Sequence, residues 1–113
     1  MWIVDLQPAA AASLNAKLKA EIERLIAPRS KVPAGSNWQT PQDLHTRPAF
    51  AEFAKLVETA GRGVARFLQV DQYPMAITGC WANVNLPGAY HPMHHHPNTY
   101  LTALYSLSIP ATE

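Results

Sequence analysis

Apolar positions divide this chain into a stretch of helical spacing and a stretch of strand alternation. Leu14, Leu18, Ile22 and Leu25 recur every three or four residues, which makes one stripe of an amphipathic helix. The stripe predicts a helix that starts between Pro8 and Ser13. Pro28 stops it, because proline lacks the backbone donor and restricts Ala27. Lys17 with Glu21, and Lys19 with Glu23, are i,i+4 pairs for the wet side, worth about 0.2–0.5 kcal/mol each. A second stripe runs Phe50, Phe53, Val57, Ala60, Val64, Phe67. It predicts a helix capped near Thr46, with Pro48 in its first turn and its end near Leu68. Gly61 and Gly63 cost about 1 kcal/mol each against alanine, and point to a close backbone approach or a break into two pieces. Between the helices, residues 28–47 are punctuated by Pro28, Pro33, Gly35, Ser36, Asn37 and Pro41, and read as a loop with short extended pieces. Trp38, set among these turn-formers, is expected to plug down onto the core.

The period changes after the turn Asp71-Gln72-Tyr73-Pro74. Residues 75–85 read as a long strand with Met75, Ile77, Gly79, Trp81, Asn83 and Asn85 on one face. Thr78, Cys80, Ala82 and Val84 fall on the other. Residues 99–109 read as a second long strand, stopped by Pro110. Leu101, Ala103, Tyr105, Leu107 and Ile109 share one face, and Thr102, Leu104, Ser106 and Ser108 the more polar one. Residues 2–6 read as an edge strand, which needs a sheet elsewhere in the protein. The organisation expected is α+β: residues 1–74 as an N-terminal strand and helical packing region, and residues 75–113 as the first strands of a β core.

Composition narrows the function classes. The chain has 113 residues, 48% hydrophobic and 15% charged, enough for one buried core and unlike a disordered segment. Net charge is +1 with no basic block, which argues against nucleic acid and anionic membrane as partners. No apolar run is long enough to span a bilayer, and the first residues do not form a secretory signal. Cys80 is the only cysteine, so no internal disulfide forms, and a reducing cytoplasm is the expected location. Cys80 reads as a small buried residue and not as a nucleophile. There is no nucleophile elbow, no phosphate-cradling glycine loop and no C-x-x-C.

One stretch carries chemistry. His91-Pro92-Met93-His94-His95-His96-Pro97-Asn98 holds four of the five histidines. Imidazole is the commonest ligand for first-row transition metals. Pro92 and Pro97 argue against a helix here, and in an extended segment residues i and i+2 face the same way. His94 and His96 then face one side as an H-x-H pair, and His95 the other. His91 joins them only if Pro92-Met93 bends back. The fifth histidine, His45, stands alone and reads as a turn or surface residue.

Trp81-Ala82-Asn83-Val84-Asn85, then Gly88-Ala89-Tyr90, then His94-His95-His96-Pro97-Asn98-Thr99-Tyr100-Leu101-Thr102-Ala103-Leu104-Tyr105, resembles a family of 2-oxoglutarate/Fe(II)-dependent oxygenases known mostly from bacterial and phage sequences. Upstream, residues 2–6, 14–18 and 38–40, and Leu44 with Pro48 and Phe50, resemble the same family's N-terminal strand, helix and loop, so the likeness covers almost the whole chain. It implies a double-stranded β-helix, or jelly-roll, preceded by packing helices. It implies iron ligands at His94 and His96, joined by a distal histidine on a late strand, with an arginine or lysine for the far carboxylate of 2-oxoglutarate. The implied reaction is hydroxylation of a small molecule or protein side chain, coupled to conversion of 2-oxoglutarate and O₂ to succinate and CO₂. Three positions depart from the pattern. His96 stands where better-known relatives carry a carboxylate, Thr102-Ala103 stands for Ser-Gly, and Tyr105-Ser106 stands for two tyrosines. Ser106 is shorter than the tyrosine that helps hold the cosubstrate in those relatives. Thr102 and Ser106 share a strand face and, with Asn83 one strand back, are candidates to bind 2-oxoglutarate.

A jelly-roll needs about eight strands, whereas residues 75–113 hold two and the start of a third. No histidine, lysine or arginine follows Thr99. The expectation is therefore the N-terminal portion of a longer oxygenase, inactive alone, with an open sheet edge that favours self-association. Two other readings stand beside it: a cupin-like domain using H-x-H for Zn, Mn or Ni without oxygenase chemistry, and a non-catalytic interaction module.

Overall fold

A computed structural model describes residues 2–27, 35–93 and 96–108. Helix α1 spans Pro8–Ile26 and helix α2 spans Ala51–Phe67. Strands β1, Asn37–Gln39, and β2, Asn83–Asn85, pair as a two-stranded antiparallel sheet. The fold is therefore mixed helix and sheet. No described helix is long and apolar enough to cross a membrane.

The helical half follows its apolar stripes. Pro8 occupies the first turn of α1, where its missing N–H costs nothing. Leu14 and Leu18 are buried, and with Leu44 and Phe50 they form the core. Ile22, Leu25, Phe53 and Leu56 pack around it. Lys19 reaches Glu23 at 4.0 Å, as the spacing predicts. Lys17 instead pairs with Glu52 of α2 at 3.0 Å, and Glu21 takes Arg24 and Arg47. The tertiary fold offered both partners of that i,i+4 pair other charges.

The start of the second helix differs from the pattern. Two 3₁₀ turns, Leu44–Thr46 and Pro48–Phe50, precede α2. Thr46 does not cap the helix, because its hydroxyl donates to the Asp43 carbonyl at 2.7 Å. The turns place Leu44 and Phe50 in the core before α2 begins. Gly61 and Gly63 neither break α2 nor mark a close backbone approach. A Cβ at Gly61 would meet only the Met75 methyl at 3.9 Å, and one at Gly63 would meet nothing within 4 Å.

The sheet is smaller than the alternation predicts. β1 and β2 align Asn37 with Asn85, Trp38 with Val84 and Gln39 with Asn83. Pairing continues beyond the named strands. Gly35 N–H donates to Pro87 O at 2.9 Å, Leu86 N–H to Ser36 O at 3.1 Å, and Thr40 N–H to Ala82 O at 3.0 Å. At the lower end Cys80 N–H donates to Gln42 O at 2.9 Å and Leu44 N–H to Cys80 O at 3.1 Å. Trp38 is buried, as expected of a tryptophan set among turn residues. Thr40 is buried and clamps the ribbon: its hydroxyl donates to Pro41 O and accepts Ala82 N–H, each at 2.9 Å.

Residues 2–6, 75–79 and 99–108 form no ladder among the described residues. The long strands predicted over 75–85 and 99–109 therefore reduce to a bridge at Cys80 and to β2, with Ile109 outside the described residues. A strand exists only where a neighbour takes its hydrogen bonds, and alternation alone does not supply one. The alternation still governs burial except at Ala103, which is exposed. Leu101, Tyr105 and Leu107 are half-buried while Thr102, Leu104, Ser106 and Ser108 are exposed. Tyr105 lies 5.3 Å from Phe53, ring to ring, and its hydroxyl donates to Asn15 of α1. The segment is held to the helices by that side-chain face.

Candidate metal centre

The ribbon has two unlike faces. Trp38, Val84, Thr40 and Ala82 turn toward the protein. Asn37, Gln39, Asn83 and Asn85 are exposed together on the other face. Gln39 and Asn83 sit opposite each other, and the Gln39 amide donates to Asn83 Oδ1 at 3.1 Å. Asn85 Oδ1 hydrogen-bonds His91 Nε2 at 3.0 Å. Trp81, which strand parity places on the Asn83 face, lies 5.6 Å from His96, ring centre to ring centre, at 57°. Both flanks of the histidine stretch are thus held by residues of one polar strand face.

His96 is half-buried and His91 is exposed. His94 and His95 lie outside the described residues, so the H-x-H pair is described only at its second member. Among the described residues no group of three His, Cys, Asp or Glu side chains could hold a metal ion. In kind, the H-x-H imidazoles suit a first-row divalent ion. By themselves they amount to a two-donor set.

Asn83 is engaged with Gln39 on the ribbon face. Thr102 and Ser106 are exposed on the segment that lies over the helices, and no hydrogen bond joins either to Asn83 or His96 among the described residues. His45 is half-buried in a 3₁₀ turn, where its Nδ1 is buried without a hydrogen-bond partner among the described residues. Cys80 packs at the edge of the core, and burial pushes its thiol pKa up against the opposing pull of the His45 backbone N–H. That favours the neutral, unreactive thiol. Two surface grooves have no described histidine in their lining. One of about 480 Å³ is lined by Trp2, Val4 and α2, and one of about 350 Å³ by Val70, Tyr73, Pro74, Met75 and Tyr100.

Asn85 and Trp81, the residues that hold the stretch, lie within the Trp81–Asn85 motif but were not among the candidate site residues. Their signal was parity: both fall on one face with Asn83, one turn upstream of the histidines. Compared with family models, curated proteins and solved structures, this chain matches none.

Proposed function

We propose that this chain carries the metal-binding entry of an Fe(II)- and 2-oxoglutarate-dependent oxygenase of the hydroxylase type, with its ribbon belonging to a jelly-roll core. The observation that supports this reading is the anchoring of the histidine stretch at both flanks, His91 by Asn85 and His96 by Trp81. A ligand loop held at both ends loses less conformational freedom when it binds a metal.

In this reading His94 and His96 hold the iron, which when bound supplies the redox chemistry. The chain's own residues position and shield. The Trp81 ring limits the orientations open to the His96 imidazole and keeps water from one side of it. The Asn85 carboxamide orients His91. The Gln39–Asn83 pair leaves further amide donors and acceptors on the same face, suited to a carboxylate or carbonyl of a bound organic acid. Thr102 and Ser106 are proposed as cosubstrate contacts on the resemblance alone.

The test is metal binding by equilibrium dialysis for this chain, then succinate formation from 2-oxoglutarate with Fe(II) for the longer protein that this reading implies, each compared with His94→Ala and His96→Ala. Saturable binding that each variant weakens by about tenfold or more, together with Fe(II)-dependent succinate, is the expected result. Tight Zn(II) binding without any 2-oxoglutarate turnover supports a cupin-like metal site instead. No saturable binding of any divalent ion overturns both.

A further inference from the structure

The turn after β2 lays the histidine stretch beside the polar face of the ribbon. Ala89 N–H donates to Leu86 O at 2.9 Å, and Gly88 has a φ of +86°. With Pro87 before it, this is the pattern of a type II turn. The chain therefore doubles back. His91 meets Asn85 and His96 meets Trp81, so the stretch runs antiparallel to residues 81–85. Asn37, Gln39, Asn83 and Asn85 stay exposed beside it.

These four carboxamides form two rungs. Leu86 N–H to Ser36 O and Thr40 N–H to Ala82 O set the alternation of the ladder. Gln39–Asn83 and Asn37–Asn85 are then its non-hydrogen-bonded pairs, where facing side chains come closest. Two residues of strand separate the rungs, about 7 Å. The Gln39–Asn83 rung is bonded to itself at 3.1 Å. The Asn37–Asn85 rung is open. His91 takes only Asn85 Oδ1, and among the described residues nothing hydrogen-bonds the Asn37 carboxamide. The rung thus offers the Asn85 amino group as a donor and Asn37 as donor and acceptor. The chain that builds this face carries no fixed charge: residues 35–42 and 72–112 contain no aspartate, glutamate, lysine or arginine. An ionic group drawn onto the face would shed water without gaining a counter-charge.

We infer that the Asn37–Asn85 rung receives the substrate, as distinct from the 2-oxoglutarate cosubstrate, and that this substrate is uncharged and bears an amide. The role as substrate rests on the oxygenase function proposed above. The Asn85 amino group donates to the ligand carbonyl, and Asn37 Oδ1 accepts the ligand N–H. An amide uses the rung's donor and acceptor together. A carboxylate leaves the acceptor unused and brings a charge that nothing balances, and an ammonium leaves the donor unused. The rung lies one step farther from Trp81 than Gln39–Asn83 does, so the substrate sits beside the histidine stretch and leaves the inner rung to the organic acid. Tyr90, next to His91 in the chain and 80% exposed, offers an aromatic surface to the rest of the ligand.

Titration of the nitrogen-15-labelled chain, followed by NMR, tests this with three probes of one shape: neutral N-acetylalanine methylamide, anionic N-acetylalanine and cationic alanine methylamide. The expected result is saturable shifts of the Asn37 and Asn85 side-chain signals, with the neutral probe binding about tenfold or more tighter than either ion. Asn37→Leu weakens the neutral probe by about tenfold or more, and Asn37→Asp reverses the order so that the cation binds best. Asn37 is exposed and its side chain has no hydrogen bond among the described residues, so both variants keep the fold, which their backbone spectra check. A charged probe that binds the parent as tightly as the neutral one, no saturable shift at the two side chains, or indifference to Asn37→Leu overturns the inference. None of these measurements needs a metal, so the two proposals fail separately. Amide binding by a chain that takes up no divalent ion supports the rung as a ligand site and overturns the oxygenase function. Metal binding and 2-oxoglutarate turnover without amide binding overturn the rung alone.

Discussion

The helices and the segment after Met75 carry apolar patterns of similar strength, yet only the first became regular structure throughout. α1 and α2 close their backbone hydrogen bonds within themselves, so a stripe such as Leu14-Leu18-Ile22-Leu25 needs only one surface to lie against. Residues 99–108 have an equally regular alternation and pack Tyr105 and Leu107 on the helical core, but among the described residues no neighbouring strand completes their backbone. The same burial thus coexists with a ladder in one place and with none in another. What distinguishes them is where the backbone finds its partners.

That difference can be broken at three points. The largest effect belongs to the helical core. Leu44 is fully buried and Leu104 is 93% exposed. Leu44→Ala should cost about 2–5 kcal/mol and Leu104→Ala less than about 0.5 kcal/mol, read from thermal or urea unfolding. Equal losses would mean that the segment after Met75 carries a core of its own.

Thr40 gives an intermediate effect, at the joint between the halves. Thr40→Val keeps the shape but strands the Ala82 N–H that the hydroxyl now accepts. The expected cost is about 1–3 kcal/mol, with faster hydrogen exchange at Ala82 than in α1. A uniform rise in exchange would show one cooperative unit in place of two.

The smallest effect is electrostatic. Glu21 is held below the ordinary carboxylate range, chiefly by its hydrogen bond from Arg24, with burial opposing and the charges of Arg24 and Arg47 assisting. A carboxyl depressed in the fold stabilises above its unfolded pKa, and the contribution is lost as pH falls through the folded value. Glu21→Gln should therefore lower stability slightly at neutral pH, with the gap to the parent closing as the solution is acidified. A gap that persists at low pH would assign the loss to packing.

The candidate site divides the same way. H-x-H between two prolines is proposed as a ligand pair from parity, which needs only local geometry, and His94 lies outside the described residues. The roles of Asn85 and Trp81 were not legible in the sequence, because each depends on a residue six or fifteen positions downstream folding back onto the strand face. Thr46 misled for a related reason. Its cap signature is local, but burial of Leu44 and Phe50 favoured two 3₁₀ turns in its place.

By itself the sequence determined the two helices, the burial of Trp38, the inward side of Leu101, Tyr105 and Leu107, though not of Ala103, which is exposed, and the grouping of the histidines. These follow from period, proline placement and side-chain volume, which act within a few residues. Only the tertiary structure decided the ribbon register, the exchange of Lys17 from Glu21 to Glu52, the lack of a ladder over 75–79 and 99–108 among the described residues, and the anchoring of His91 and His96. Each of these is a choice among partners far apart in the chain, and no local pattern encodes which partner wins.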